Sequence, residues 1–109
     1  MAVEADFSLD EKRLTIKIRG RFDFGKHQDF RNAYEHLPAR AESVVVDLGA
    51  ATYLDSSALG MLLLLRDHQG EQDAGRIQVI NTSSDVYQIL AISNFTQLFE
   101  ISQRPDVCR

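Results

Sequence analysis

The chain reads Val44-Val45-Val46-Asp47-Leu48 and, a few residues later, Tyr53-Leu54-Asp55-Ser56-Ser57-Ala58-Leu59-Gly60. An apolar, β-branched run holding a single acid is the pattern of a central strand covered on both faces in a parallel sheet. A parallel neighbour can be reached only through a crossover of a dozen or more residues, so a helix is expected next. Asp and Ser are residue types that begin helices, which places the second helix from Ser56 or Ser57 to about His68. Strand, turn and helix start together deliver two hydroxyls and an acid to one place, where the unpaired amides of a first helical turn favour an anion.

The flanking sequence supplies the other layers. Val3, Ala5, Phe7 and Leu9 alternate with polar residues, and so do Leu14, Ile16 and Ile18, which predicts a hairpin near a sheet edge. Gly20 to Lys26 reads as a loop with room for a short strand about Arg21 and Phe22. Phe30, Ala33, Tyr34 and Leu37 share one helical face, and Pro38 stops that helix. Gly70 and Gly75 bracket a polar turn before a strand at Arg76–Ile80. Thr82, Ser83 and Ser84 offer N-cap oxygens for a third helix that ends near Ser93-Asn94, and Leu98–Ile101 predicts a last short strand. Residues 102–109 lack periodicity and read as a loosely held tail. Strands first, then alternating helix and strand, imply an α/β fold with a mixed sheet and helices packed mainly on one face.

At 109 residues the chain suffices for one domain, spanning residues 1–109. Cys108 is the single cysteine, so no internal disulfide is available, and a reducing, cytoplasmic setting is expected. The longest apolar run, Met61–Leu65, is far short of the roughly 20 residues of a membrane span. A net charge of −4 with scattered Lys and Arg argues against direct nucleic-acid binding. Phosphate loops, paired CxxC and HExxH are missing, so no cofactor or metal is expected. His27, His36 and His68 do not stand at metal-ligand spacing, and without a GxSxG elbow or an assignable base neither serine reads as a hydrolase nucleophile. The expectation is a protein that is not an enzyme.

Gly20-Arg21-Phe22-Asp23, Val45-Val46-Asp47-Leu48, Leu54-Asp55-Ser56-Ser57-Ala58-Leu59-Gly60 and Ile92-Ser93-Asn94-Phe95 before Phe99 together resemble the STAS family of bacterial anti-sigma factor antagonists, over nearly the whole chain. One departure is Ala58, where many members carry Gly; both are small enough for close approach. The resemblance implies a phosphorylation-switched binding module. Its unphosphorylated form would bind a partner that is both anti-sigma factor and serine kinase, phosphorylation at Ser56 would release that partner, and a serine phosphatase would reset the cycle. The same domain also serves stress-signalling scaffolds, transporter tails and lipid-transport complexes, so a constitutive scaffold subunit is the alternative.

Each candidate also has a plainer reading. Asp55-Ser56-Ser57 can be an N-cap alone, with a serine oxygen accepting an amide hydrogen bond, although capping and phosphorylation can coexist. Ser57 is the secondary phosphosite candidate. Asp23 either organises its turn or shapes the partner surface, and Asp55 adjoins the serine and can orient it. Met61 to Leu65 occupy the whole helix circumference, so they are either buried by neighbours or in part a contact surface near Ser56. The partner-binding set is therefore Asp23, Asp55, Ser56, Ser57, Ala58 and Met61.

Overall fold

The computed structural model describes residues 2–70 and 77–105. Strands β1 (Val3–Ser8) and β2 (Arg13–Phe22) form the expected antiparallel hairpin, in which Val3, Ala5 and Phe7 face Ile18, Ile16 and Leu14. Helix α1 (His27–Glu35) leads to β3 (Ser43–Leu54), α2 (Ser56–Gln69) to β4 (Ile77–Thr82), and α3 (Ser84–Ile92) to β5 (Glu100–Gln103). The sheet order is β1-β2-β3-β4-β5, with every pair after the hairpin parallel. Three successive crossovers advance in one direction, and the right-handed rule then sets all three helices on the same face.

That topology corrects one expectation. Val44, Val46 and Leu48 of β3 are fully buried under the helices, but Val45 and Asp47 point to the other face and are only half-buried. The apolar run is that of a central strand, yet no helix covers its second face. Around β3 the core gathers Leu14, Ile16, Ile18 and Phe22 of β2, Ile77 and Val79 of β4, Leu62 and Leu65 of α2, and Val86 and Leu90 of α3.

β2 and β3 are longer than the sequence predicts, and the reason is local. Lys17 pairs with Asp47 but Arg19 with Ala50; Gly20 pairs with Ala51 but Arg21 with Tyr53. Each step inserts one extra residue into β3, a β-bulge that bends the strand and resets which side chains face inward. Inward positions therefore run Val44, Val46, Leu48, Ala51, Leu54. On β2 the bend is met by Gly20, whose φ of +74° is costly for any residue with a Cβ.

Helix α1 ends at Glu35, since Pro38 forces the residue before it out of the helical region. Gly70, at φ +86°, ends α2 and donates its amide to the Arg66 and Asp67 carbonyls at 3.1 and 3.2 Å. The buried Gln69 side chain donates to Ala41 O at 3.1 Å, and Arg40 Nη2 donates to Gln69 O at 2.7 Å, which staples the link after α1 to the end of α2. Ser83 caps α3 by accepting from Val86 N at 3.2 Å.

The last strand is displaced from Leu98–Ile101 to Glu100–Gln103. Asn94 adopts the left-handed conformation, a 3₁₀ turn follows over Phe95–Gln97, and Phe99 N still donates to Phe95 O at 2.9 Å, with the two rings stacked at 5.6 Å. The tail expectation also needs correction, because Ser102 and Gln103 lie in β5 and Arg104 N donates to Thr82 O at 3.0 Å. Gly75, Arg76 and Cys108 lie outside the described residues.

Candidate functional site

β2 and β3 finish side by side, Phe22 opposite Leu54, and both side chains enter the core. The amide of Asp55 donates to the Phe22 carbonyl at 3.4 Å, which fastens the start of α2 to the end of β2. Asp55 is extended (φ −110°, ψ −177°) and is the N-cap residue; its Oδ1 accepts from Ala58 N at 3.0 Å and from the Ser57 hydroxyl at 2.6 Å. The cap is thus the acid and not a serine.

This division of labour distinguishes the two hydroxyls. Ser57 is half-buried and its proton is committed to Asp55. Ser56, the first residue of α2, is exposed, and its hydroxyl has no hydrogen-bond partner among the described residues. The Ser57 hydroxyl, followed by the Ala58 amide, holds the Asp55 carboxyl below its usual range, with the Arg21 charge adding to the effect. These bonds favour the ionised form. A lowered folded-state value means that the carboxylate's stabilisation is complete above the usual value of 3.8 and disappears as pH falls through the lower folded value. The stability advantage of the wild type over Asp55→Asn, read from urea midpoints, should accordingly hold above about pH 5 and shrink as pH falls below the ordinary carboxylate value of 3.8. An advantage that held constant down to the acid end would contradict this.

Asp23 caps the 3₁₀ turn Phe24–Lys26, its Oδ1 accepting from Gly25 N at 3.0 Å. Its other oxygen stands 3.6 Å from Arg21 Nε, and the Arg21 guanidinium lies 4.7 Å above the Tyr53 ring. Phe24 is 68% exposed, and its ring stacks on His27 at 5.1 Å. Turn residue and surface residue are therefore both accurate descriptions of Asp23.

The ends of β2 and β3 and the start of α2 bring Asp23, Asp55, Ser56 and Ser57 together. Ala58 and Met61 are corrections to the partner-binding set: Ala58 is fully buried and Met61 is 4% exposed, because they share the core-facing side of α2 with Leu62 and Leu65. Leu63 and Leu64, 42% and 53% exposed, are the residues of that run that reach the surface. At 100° per residue, Ser56, Gly60 and Leu63 fall on one side of the helix and Leu64 flanks them. Sequence reasoning had no role for Arg21, Tyr53 or Phe24. The signal for Arg21 was present, because the inward alternation of β2 continues from Ile18 past Gly20 to Phe22.

His27, His36 and His68 go to separate neighbours, respectively Phe24, Glu35 and the Tyr34 ring. A cleft of about 310 Å³ lined by Tyr34, Arg40, His68 and Gln69 lies at the far end of α2, about 20 Å along the helix from Ser56. Ser56 stands on an exposed helix start, an arrangement suited to another protein's surface more than to a small molecule, which needs a concave site.

Comparison with known proteins agrees with this fold. The family profile "Mlab, STAS domain" matches residues 5–100. A STAS-domain containing protein of Pseudomonas aeruginosa (strain UCBPP-PA14) is 62% identical over 102 residues, covering 94% of this chain and all of that protein. Among solved structures, the anti-sigma factor antagonist SpoIIAA in its unphosphorylated form superposes with a TM-score of 0.71 at 18% identity, covering 96% of this chain and 91% of that one. A sulfate transporter family protein from Wolinella succinogenes superposes with a TM-score of 0.75 at 12% identity, covering 93% and 83%. At such identities the solved structures establish the fold, and the profile and the close relative establish the rest: the chain belongs to the STAS-domain family.

Proposed function

We propose that this STAS domain is an anti-sigma factor antagonist, a cytoplasmic binding module switched by phosphorylation at Ser56. The unphosphorylated surface binds an anti-sigma factor that is also a serine kinase. Phosphorylation releases that partner, and a serine phosphatase restores the starting state. The domain is then a substrate and not a catalyst. In the modifying step the Ser56 Oγ–phosphorus bond forms as the partner's nucleotide loses its terminal phosphoryl group, and the hydroxyl proton passes to a base on the partner.

The observation that carries this reading is the division of labour at the helix start. Asp55 satisfies the first-turn amide and holds the Ser57 hydroxyl, so Ser56 remains exposed and uncommitted. If these serines served only to cap α2, a serine oxygen would be expected to hold the amide that Asp55 holds. The exposed Leu63 and Leu64 add an apolar contact two turns from Ser56, where a partner resting on the helix would lose them when a charged phosphate appears.

The reading is tested by peptide mass spectrometry of the protein purified from its native cells, with and without phosphatase treatment. A phosphatase-sensitive phosphate on Ser56 is expected, with Ser57 unmodified. The same fold serves in a sulfate transporter family protein, and a constitutive scaffold subunit is the second reading. It requires no modification, so a bare Ser56 across growth and stress conditions would favour it and end the switch proposal.

A further inference from the structure

The Arg21 guanidinium is held by two weak contacts beside the switch. It lies over the Tyr53 ring at 4.7 Å, and its Nε is 3.6 Å from Asp23 Oδ2, beyond hydrogen-bond distance. The side chain is 65% exposed, so water screens both contacts. The backbone that carries it is firmly placed. Arg21 is paired directly with Tyr53, and the adjacent Phe22 carbonyl accepts the amide of Asp55, the residue immediately before Ser56. A long, loosely held cation is thus anchored on the strand that fastens the residue before the proposed phosphosite, near enough for its charge to act on Asp55.

A phosphoserine carries about −1.5 to −2 charges and three acceptor oxygens, against one charge on Asp23, whose Oδ1 is already engaged by Gly25 N. Guanidinium and phosphate also match as a two-pronged hydrogen-bonded fork, a geometry that Arg21 lacks with Asp23. Resting on the reading that Ser56 is phosphorylated, we infer that Arg21 is the residue that senses the phosphate: on modification its guanidinium leaves Asp23 and Tyr53 and forks onto phosphoserine 56. Asp23 keeps its turn through Gly25 but loses its counter-charge, and the Tyr53 ring loses its cation. The partner then meets a second bare acid beside Phe24 as well as the phosphate, so one modification rewrites the charge of the whole loop-and-helix surface.

The test uses the full chain with phosphoserine installed at position 56 during synthesis, which removes any dependence on a kinase. Titration by phosphorus NMR is expected to give a second phosphate pKa lower by about half a unit or more with Arg21 than with Arg21→Gln, since a nearby cation favours the dianion. Asp23, Asp55 and His27 are common to both proteins and cancel in the comparison. Arg21→Lys should recover part of the shift, because it keeps the charge and loses the fork. A role for Arg21 in folding alone would move the unfolding midpoint and leave the phosphate titration in place. Superimposable titration curves for Arg21 and Arg21→Gln would remove Arg21 from the mechanism and leave the Ser56 switch standing, whereas an unmodified Ser56 in cells would end the switch and leave this coupling measurable.

Discussion

Under the proposed switch, Ser56→Asp is expected to weaken binding to the proposed anti-sigma partner by about 30-fold or more, while Ser56→Ala binds as tightly as the wild type. The estimate follows from the neighbour. A second acid about 6 Å from Asp55 costs about 0.7 kcal/mol in bulk water and about 3 kcal/mol at an effective dielectric of ~20, so enclosing the pair in an interface adds about 2 kcal/mol. That difference is roughly 30-fold in affinity, before any cost of desolvating the new carboxylate. The isolated domain should be nearly indifferent. Ser56 is an exposed first-turn residue, and the helix dipole favours an acid there by about 0.3 to 1 kcal/mol. Calorimetric titration of the partner captured with Ser56→Ala as bait provides the measurement, with urea unfolding as the control for fold. Equal affinities for Ser56→Asp and Ser56→Ala would rule out a charge-driven switch.

Phe22→Ala should be the most damaging single truncation near the site, at about 3–5 kcal/mol. The Phe22 ring is fully buried, 5.2 Å from Phe30, which in turn meets Tyr34 edge-on at 5.8 Å. Removing it opens a cavity beneath the point where β2 hands its carbonyl to Asp55, so the helix start loses its footing as the core loses its packing. A loss of that size is a large share of the roughly 5–15 kcal/mol that holds a domain together. Phe24→Ala, two residues along, removes an exposed ring and should change stability by no more than about 0.5 kcal/mol. Chemical denaturation of the pair measures the contrast. Comparable losses at the two positions would mean that β2 does not end in the register described.

Elements with an unbroken period were readable from sequence. The β1–β2 hairpin alternates strictly, α1 carries its apolar residues on one face, and Ser83 and Asn94 bound α3 as residue chemistry suggests. The length of β3 was not readable, because its two bulges replace alternation by steps of three residues beyond Leu48. The uncovered sheet face was hidden for a different reason. Helix placement is a property of crossover direction, and Val45 looks as apolar in sequence as Val44. At the site, residue chemistry located the helix start to within one residue but could not divide the work among Asp55, Ser56 and Ser57, since all three are competent caps. Backbone angles at Asp55 and a 2.6 Å bond from Ser57 decide that question. Met61 was misassigned because the five consecutive apolar residues Met61–Leu65 carry no phase from which to tell inside from outside, and Ala58 because a small side chain suits a tight core contact as well as a close approach by a partner.

The two bulges in β3 also have an arithmetic consequence. Each adds one residue and so exchanges the two sides of the strand beyond it, and two exchanges restore the original parity. Leu54 therefore points inward beside Phe22, just as Leu48 does farther back, and Asp55 leaves the sheet on the correct side to begin α2. Loss of a single residue between Leu48 and Leu54 would leave an odd count, turning Leu54 toward water and the serines toward the core. Loss of two would keep the parity and only shorten the path. The orientation of Ser56 toward solvent thus depends on an even number of insertions in the strand that leads to it.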